Sequence, residues 1–529
     1  MTVPPLIRRV LGDGPFAEMG LPGPAVLDDR SRRVAVAGDV GALQWSGAGT
    51  ADQRWTGHRI GVYDRDTLRC EHLVRSAYPV HSLAFHPALP LLAVGTGSYD
   101  GGYAFEGELL LLHLESGTVV SALPFAREVL EVAWRGEREL CLVLAPLHDD
   151  DNPDAHEQGH TVVVSRDDWS AVGRRTVERE ELVAPARPVA RADHRAETRR
   201  LLADLAAAGG REWSPRRRVW AVESGKDGRV LAALDGVLAE SWPPTGERDW
   251  AVEDEEGGRQ LVPASDGASV WTNAERRLAW RDGRWGRDAP RIARVAVGTG
   301  EVLETLGLDG SGVLVAGGGR MVVRPTDRGR KDPERLTLLD LDARAEGPEV
   351  GGFDLINHAF PVRHASGPYV LVGTRPDASY KDKWVVAVGA DGTARRLFPH
   401  SWDPREHHFG GPAAEIGRSL VYAGAVHDWA GPQPGGAYVV RRSLDGAVRW
   451  QHRMDHPATA LDVDEDTVYV ACNSGALTAL DAEGGTVRWR TELEIEDTPT
   501  TALSLAVTPD GHLLIGTVDG RILECSVRR

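Results

Sequence analysis

Residues 441–493 decide the fold of this chain: RRSLDGAVRWQHRMDHPATALDVDEDTVYVACNSGALTALDAEGGTVRWRTEL. Trp450 and Trp489 occupy matching places in two copies of one pattern, a strand followed by a turn and a second strand. Copies that recur at a period of about 40 residues are typical of propellers and solenoids, where neighbouring units bury each other's apolar faces. The sequence therefore predicts an array of small β units.

Distant segments repeat this pattern. Residues 82–97, SLAFHPALPLLAVGTG, align with residues 504–520, SLAVTPDGHLLIGTVDG, each with two apolar strands around a turn that contains proline. Glycine also recurs in the hairpin turns that end successive units, because a positive φ angle has little steric cost only for glycine. These glycines are Gly117, Gly300, Gly392, Gly446 and Gly485. Five equivalent turns favour a repeat array over unrelated hairpins.

Two stretches resemble known repeat families. Residues 461–489, LDVDEDTVYVACNSGALTALDAEGGTVRW, resemble the quinoprotein-type (PQQ-like) propeller repeat. Residues 80–97, VHSLAFHPALPLLAVGTG, and 107–120, GELLLLHLESGTVV, resemble a divergent WD-repeat blade, although Val62-Tyr63-Asp64 and Leu480-Asp481 stand where a Trp-Asp pair would be. The resemblance implies a β-propeller and no particular chemistry.

The predicted fold is an all-β propeller of four-stranded blades with one helical insertion. A single ring of eight or nine blades is favoured within a range of seven to ten, and two smaller rings are the alternative. Clear units run near 25–74, 80–124, 128–178, 310–353, 356–398, 412–454, 456–493 and 499–529, and one or two more are expected within 179–309. The predicted divisions are an N-terminal segment 1–24 that supplies a ring-closing strand, blades over 25–178, an Arg-rich helical insertion over 179–215, and blades over 216–529.

Composition narrows the function classes. The formal net charge of −17 repels phosphate backbones, so nucleic acid is not expected as a partner. Cys70, Cys141, Cys472 and Cys525 are far apart in sequence and form no zinc or disulfide pattern, which favours a reducing cytoplasm. No apolar run is long enough for a signal peptide or a membrane span, so we expect no membrane partner.

Extra length is concentrated in loops that a propeller would place on one face, namely the loops between the second and third strands and those between blades. Long loops of this kind are commonly functional, and these contain aromatic and charged side chains. The predicted partner-binding residues are Trp45, Trp55, Tyr99, Asp100, Tyr103, Phe105, Arg328, Arg330, Lys331, Tyr380, Lys381, Trp402, His407, His408, His427 and Trp429. For each aromatic residue, packing of its own loop is an equal alternative.

One helix is predicted near residues 191–210, with Leu201, Leu202 and Leu205 on its apolar side and Gly209 and Gly210 at its end. Arginines crowd this insertion although the chain is acidic. Arg191, Arg195, Arg199 and Arg200 are predicted to dock a second, acidic partner.

Two places in the sequence are candidates for a metal site. His156 and His160 fit the spacing of an HExxH motif, but Gly159 and the following strand argue against the required helix. A loosely held metal on Asp149, Asp150, Asp151, Asp154 and the two histidines stays an alternative to a solvated acidic loop. The group His400, His407, His408 and His427 is a second candidate for metal binding or acid–base chemistry.

The leading hypothesis is a cytoplasmic, non-catalytic scaffold that binds a protein partner through the long loops and requires no cofactor. One alternative is a propeller enzyme, a hydrolase or lyase, that uses the histidine and aspartate loops. The other alternative is a sensor that holds a small molecule in its central channel.

Overall fold

The structure is a computed structural model. It describes residues 4–41, 57–150, 152–274, 278–281, 284–287, 291–308, 310–315, 320–325, 336–341, 345–350, 362–365, 369–374, 382–389, 391–403, 405–428 and 431–527. Eight of the predicted binding residues lie outside these ranges, and so does one of the metal candidates. They are Trp45, Trp55, Arg328, Arg330, Lys331, Tyr380, Lys381, Trp429 and, for the metal, Asp151.

The described residues form short strands almost throughout. The first strands along the chain are β1 (Leu6–Leu11), β2 (Leu21–Asp28), β3 (Arg33–Asp39), β4 (His58–Asp64), β5 (Cys70–Ser76), β6 (Val80–Phe85), β7 (Leu91–Thr96), β8 (Ser98–Tyr99), β9 (Phe105–Glu106), β10 (Leu109–His113), β11 (Val119–Ser121), β12 (Val129–Trp134), β13 (Glu139–Leu144), β14 (Gln158–Ser165) and β15 (Ala186–Pro188). Helix α1 (Arg195–Ala208) follows, and 3-10 turns span Ala17–Met19, Pro153–Glu157, Trp169–Ala171 and Arg179–Leu182.

After the helix, strands continue to the end of the chain. They are β16 (Val219–Ser224), β17 (Val230–Leu234), β18 (Val237–Trp242), β19 (Trp250–Glu253), β20 (Gln260–Pro263), β21 (Ser269–Ala274), β22 (Leu278–Arg281), β23 (Arg284–Arg287), β24 (Arg291–Ala296), β25 (Val302–Gly307), β26 (Gly310–Val315), β27 (Arg320–Pro325), β28 (Leu336–Asp340), β29 (Ala345–Val350), β30 (Val362–Arg363), β31 (Tyr369–Gly373), β32 (Trp384–Val388) and β33 (Ala394–Pro399). The last are β34 (His407–Ile416), β35 (Ser419–Asp428), β36 (Gly431–Ser443), β37 (Val448–Met454), β38 (Ala458–Val463), β39 (Thr467–Cys472), β40 (Ala476–Asp481), β41 (Val487–Glu492), β42 (Glu494–Ile495), β43 (Thr498–Pro499), β44 (Ala502–Val507), β45 (His512–Thr517) and β46 (Ile522–Ser526).

These strands form two compact units. The first unit contains the described residues of 1–12 and 216–529, and the second those of 13–42 and 56–215. The second unit has three four-stranded antiparallel sheets, β2–β5, β6-β7-β10-β11 and β12–β15. The sheets pack side by side on shared apolar clusters, in the manner of adjacent propeller blades.

The first unit has seven sheets of three or more strands in its described part. They are β16–β19, β20-β21-β24-β25, β26–β29, β31–β33, β34–β37 with β30 at its edge, β38–β41, and β44–β46 completed by β1. Strand β1 runs antiparallel to β46, so the N-terminal segment supplies the fourth, outer strand of the last sheet.

The sheet β44–β46 contacts a sheet on each side. Toward β38–β41 it shares a core that includes Leu505 and Ala460. Toward β16–β19 it shares a core that includes Leu11, Val219 and Leu514, and the Ser504 hydroxyl donates a hydrogen bond to the carbonyl of Val219 at 2.8 Å. The last sheet of the chain is therefore packed against the first sheet of the same unit, 285 residues away along the sequence.

A repeated contact joins one sheet to the next. In three places an aromatic ring on an outer strand makes a hydrogen bond to a backbone carbonyl of the following sheet, and a turn glycine with positive φ lies three residues after that carbonyl. The pairs are His72 Nε2 with Leu114 O at 2.7 Å, Trp250 Nε1 with Val297 O at 3.0 Å, and Trp450 Nε1 with Ala482 O at 2.8 Å, followed by Gly117, Gly300 and Gly485. A methyl group at Gly485 would lie 2.6 Å from Cδ2 of Trp450, so the turn needs glycine for space as well as for φ.

The expected all-β propeller is confirmed, and α1 is the one α-helix in the described part of the chain. The described residues contain ten sheets of three or more strands, seven in the first unit and three in the second. Two of them, β16–β19 and β20-β21-β24-β25, lie within 179–309, where one or two further blades are expected. In the described part of the chain, no helix is both long and apolar enough to cross a bilayer.

Candidate functional site

The two long loops of the second unit form one continuous surface. Residues 97–107 connect β7 to β10, and residues 145–157 connect β13 to β14, so both loops leave equivalent ends of adjacent sheets. Backbone hydrogen bonds join them, from Phe105 N to Leu147 O at 3.2 Å and from Asp149 N to Tyr103 O at 3.0 Å. We name the described residues of 97–107 and 146–159 the loop surface.

Tyrosine side chains strengthen this junction. The Tyr99 hydroxyl donates to Asp149 at 2.5 Å, and the Tyr103 hydroxyl donates to Asp150 at 2.9 Å. The Tyr103 ring stacks on His148 with 4.4 Å between ring centroids and 15° between planes. Because each tyrosine bonds across to the other loop, the loop surface is organised before any partner arrives.

A buried ion pair supports the loop surface from below. Arg191 donates two hydrogen bonds to the Glu128 carboxylate, at 2.7 and 2.9 Å, and a third from Nε to the carbonyl of His156 at 3.1 Å. His81 Nε2 lies 3.0 Å from the same carboxylate. Burial raises the pKa of Glu128, but the hydrogen bonds and charges of His81 and Arg191 outweigh it and leave the pKa below its usual value.

The predicted binding residues of the loop surface differ in accessibility. Tyr103 is 47% exposed, and Leu147, which the sequence analysis did not select, is 41% exposed. Asp100 is exposed and accepts hydrogen bonds from the backbone N–H groups of Tyr103 and Gly102, which lower its pKa. Asp100 therefore both shapes its turn and adds negative charge to the surface.

Phe105 and Tyr99 require a correction. Phe105 is buried with Ala145 and Ala155, so it anchors the loop surface and does not reach a partner directly. Tyr99 is half-buried and lies edge-on to Phe105 and His156. The packing alternative holds for both residues, because apolar rings at the base of a long loop replace the core that the loop otherwise lacks.

The histidines of the HExxH-like stretch belong to different elements. His156 lies in the 3-10 turn Pro153–Glu157 and packs against Tyr99, with ring centroids 4.7 Å apart. His160 lies in β14, and its Nδ1 is 2.6 Å from the carbonyl of Ala184. Among the described residues, no three histidine, cysteine, aspartate or glutamate side chains are grouped as a metal would require.

Helix α1 packs on the first sheet of its unit. Leu202 and Leu205 contact the cluster that contains Phe16 and Met19, while Arg195, Arg199 and Arg200 are exposed. Arg191 is a correction, because it precedes the helix and its guanidinium is already paired with Glu128. The exposed cationic face of the helix therefore consists of Arg195, Arg199 and Arg200.

The predicted histidine group of the first unit forms a cluster where β31–β33 meets β34–β37. His408 is buried and stacks on Trp402, with ring centroids 4.0 Å apart and 17° between planes. Its Nε2 is 2.7 Å from Glu406, which also pairs with Arg453. Burial lowers the pKa of His408. His408 and Trp402 thus pack the loop rather than present themselves to a partner.

Lys383, which the sequence analysis missed, lies beside a second group of rings in this cluster. His407 and His427 are cross-strand neighbours on β34 and β35, and the buried His427 ring lies 4.1 Å from Phe409. The ammonium group of Lys383 lies 3.4 Å from the centroid of the same phenyl ring. His400 is buried at the adjacent strand end and donates its backbone N–H to the Lys383 carbonyl at 2.8 Å.

A buried charge network of the first unit connects β16, β30, β38 and β44. Asp462 is buried in β38. It lies 3.0 Å from Arg363 Nε and 2.7 Å from His364 Nε2, and it accepts the backbone N–H of Val507. Glu223 of β16 pairs with Arg363 at 3.2 Å. In the sequence, the one indication of this network is Asp462, a charged residue within the mainly apolar strand β38.

Comparison with known proteins finds propeller repeats. Residues 382–528 match the PQQ-like family model described as outer membrane protein assembly factor BamB. A solved structure of the WD40 repeats of RRP9 is 10% identical, with a TM-score of 0.42, over 60% of this chain and 96% of that chain. Comparison with curated proteins finds no significant match.

Proposed function

We propose that this chain is a non-catalytic scaffold for protein interaction and that the loop surface is its docking site. The described strands form propeller-like sheets, and residues 382–528 match the PQQ-like family model. The fold supports interaction scaffolds in general, and function on such a fold resides in its loops. The matched family is described as an assembly factor, which agrees with a role in bringing proteins together.

One observation carries the proposal: hydrogen bonds hold the two loops of the loop surface together, and the surface is partly apolar. Tyr103 and Leu147 expose large side chains on loops held by four hydrogen bonds between them. A preorganised aromatic and apolar patch loses little conformational entropy on binding. The carboxylates of Asp100, Asp149 and Asp150 surround this patch, so the expected partner surface is basic with an apolar centre.

The occupied imidazoles do not favour the hydrolase or lyase alternative. His156, His160 and His408 each hold a structural contact, to an aromatic ring, a backbone carbonyl or a carboxylate. A catalytic imidazole must be able to reach a substrate proton or a metal.

We also propose that the protein is cytoplasmic. Its four cysteines are free thiols, which are compatible with a reducing compartment.

Site-specific photo-crosslinking of the full chain in its native host tests this proposal. A photoreactive residue at position 103 or 147 should give a discrete crosslinked species. The same residue at Val487, which is 49% exposed on β41 of the other unit, serves as the matched control. Equal crosslinking at the three positions, or none at 103 and 147, would contradict the proposed docking site.

A further inference from the structure

Lysine is rare in this chain. Only four of the 61 basic residues are lysine, namely Lys226, Lys331, Lys381 and Lys383, and the rest are arginine. Lys226 is exposed on a turn. Lys383 directly precedes β32 and is only 8% exposed, whereas the other buried lysine or arginine residues in the described part of the chain are all arginines.

The buried arginines of this protein are paired with oxygen acceptors. Arg216 pairs with Glu240, and Arg521 pairs with Asp519. Arg127 has no carboxylate, but it donates to the carbonyls of Ala145 and Leu182. Each of these buried cations therefore has oxygen acceptors, as the cost of burying a charge requires.

Lys383 differs from these arginines. Within the described part of the chain, its ammonium group has no hydrogen-bond or ion-pair partner, and it lies 3.4 Å from the centroid of the Phe409 ring. A contact of this kind offsets about 2 kcal/mol at most when it is desolvated. Burial alone, with no contribution from any charged neighbour, lowers the pKa of Lys383 to about 8. At neutral pH the group is mainly a cation, and it has no carboxylate partner among the described residues.

The surroundings suit a small ligand. Lys383 lies at the end of the sheet β31–β33 where the connection between β31 and β32 also begins, and His400 and His427 come from the neighbouring strand ends. Phe409 and His427 form a ring pair beside the ammonium group. Aromatic walls around a single charged group are typical of binding sites for small organic molecules.

We propose that Lys383 is the charged centre of a binding site for a small organic anion, whose carboxylate or phosphate group pairs with the ammonium while its body packs on Phe409 and His427. This site lies in the first unit and is independent of the loop surface. An anion that binds the charged form tenfold more tightly than the neutral form raises the pKa of Lys383 by one unit.

Nuclear magnetic resonance of the full chain with isotope-labelled lysine measures this directly. The four lysines give few signals, and the signal that is missing from the spectrum of Lys383→Met belongs to Lys383. The pKa of Lys383 is followed in chloride, benzoate and phosphate at equal ionic strength. We expect a saturable rise of about one unit in benzoate or in phosphate, with no change at Lys226. The arm that responds identifies the anionic group.

Two results would overturn the site. One is a Lys383 signal that shifts no more than that of Lys226 in both benzoate and phosphate. The other is a Lys383→Met protein that keeps the same anion-induced increase in melting temperature as the wild type. The first measurement uses only the unmodified protein, so it decides the question even if the variant folds poorly.

Discussion

Arg191 and Glu128 are 63 residues apart in sequence, and their side chains form a two-bond ion pair at 2.7 and 2.9 Å. The Glu128 carboxylate is buried, whereas a third of the Arg191 side chain remains exposed. This pair joins the segment after β15 to the segment before β12, directly below the loop surface. The conformation of the loop surface therefore depends on an interaction outside both loops.

We expect Glu128→Gln to loosen the loop surface. Glutamine keeps the shape of the side chain but leaves Arg191 and His81 without their carboxylate, and breaking such a buried pair costs about 2 to 3 kcal/mol when one partner is partly exposed. Hydrogen exchange should accelerate in peptides from 97–107 and 152–159. Glu157→Gln, an exposed change in the same loop, should leave exchange unchanged. Equal protection in the two variants would mean that the pair does not support the loops.

The contact between Trp450 and Gly485 predicts a large effect from one methyl group. Gly485→Ala places Cβ against the indole and at a positive φ, so we expect a loss of about 2 to 4 kcal/mol in unfolding free energy. Gly417→Ala is the control, because Gly417 also has positive φ but has no neighbour within 4 Å of the added atom. It should cost only about 1 kcal/mol. Equal losses in chemical denaturation would show that the indole contact adds nothing.

The features readable from sequence are those set by local geometry. Gly117, Gly300 and Gly485 repeat because each hairpin turn needs positive φ, and this made the repeat visible. The N-terminal strand could be anticipated because the last unit had only three strands of its own. The two sheets within 179–309 were harder to read, because the Arg-rich insertion and the β22–β23 hairpin interrupt their pattern.

The candidate sites depend on contacts between distant residues. Sequence indicated that the long loops of 97–107 and 146–159 share a face, but not that Tyr103 bonds to Asp150 or that Phe105 is buried. Nothing local distinguishes Lys383 from an exposed lysine, since its burial comes from Phe409 on another sheet. Whether a buried charge is paired depends on residues that only the fold brings together, so it could not be read from the sequence.

The outer strand β1 should contribute strongly to the stability of the first unit. Leu11 is buried against Val219 and Leu514, so Leu11→Ala should lower the free energy of unfolding by about 2 to 4 kcal/mol. Leu6 lies on the same strand but is exposed, and Leu6→Ala should change it by less than about 0.5 kcal/mol. Similar denaturation midpoints for both variants would contradict this packing of the N-terminal strand.

His364 predicts a pH dependence of stability. Its hydrogen bond to Asp462 raises the pKa of His364, so the folded state holds the proton more tightly than the unfolded state. This stabilisation is complete below the unfolded pKa of about 6.5 and is lost as pH rises through the folded pKa. We expect His364→Gln to remove this loss from the wild-type profile of unfolding free energy against pH. A profile that the substitution leaves unchanged above pH ~6.5 would argue against the pairing.

The central claim is that the loop surface binds a protein partner. Co-purification from the native host should compare the wild type with the double variant Tyr103→Ala, Leu147→Asp and with a control, Val448→Asp, Val487→Asp, which alters exposed valines of the first unit. We predict a stoichiometric partner with the wild type and the control, and at least a tenfold loss with the loop variant, or about 1.4 kcal/mol. Equal recovery from all three proteins, or no specific partner with the wild type, would contradict the account.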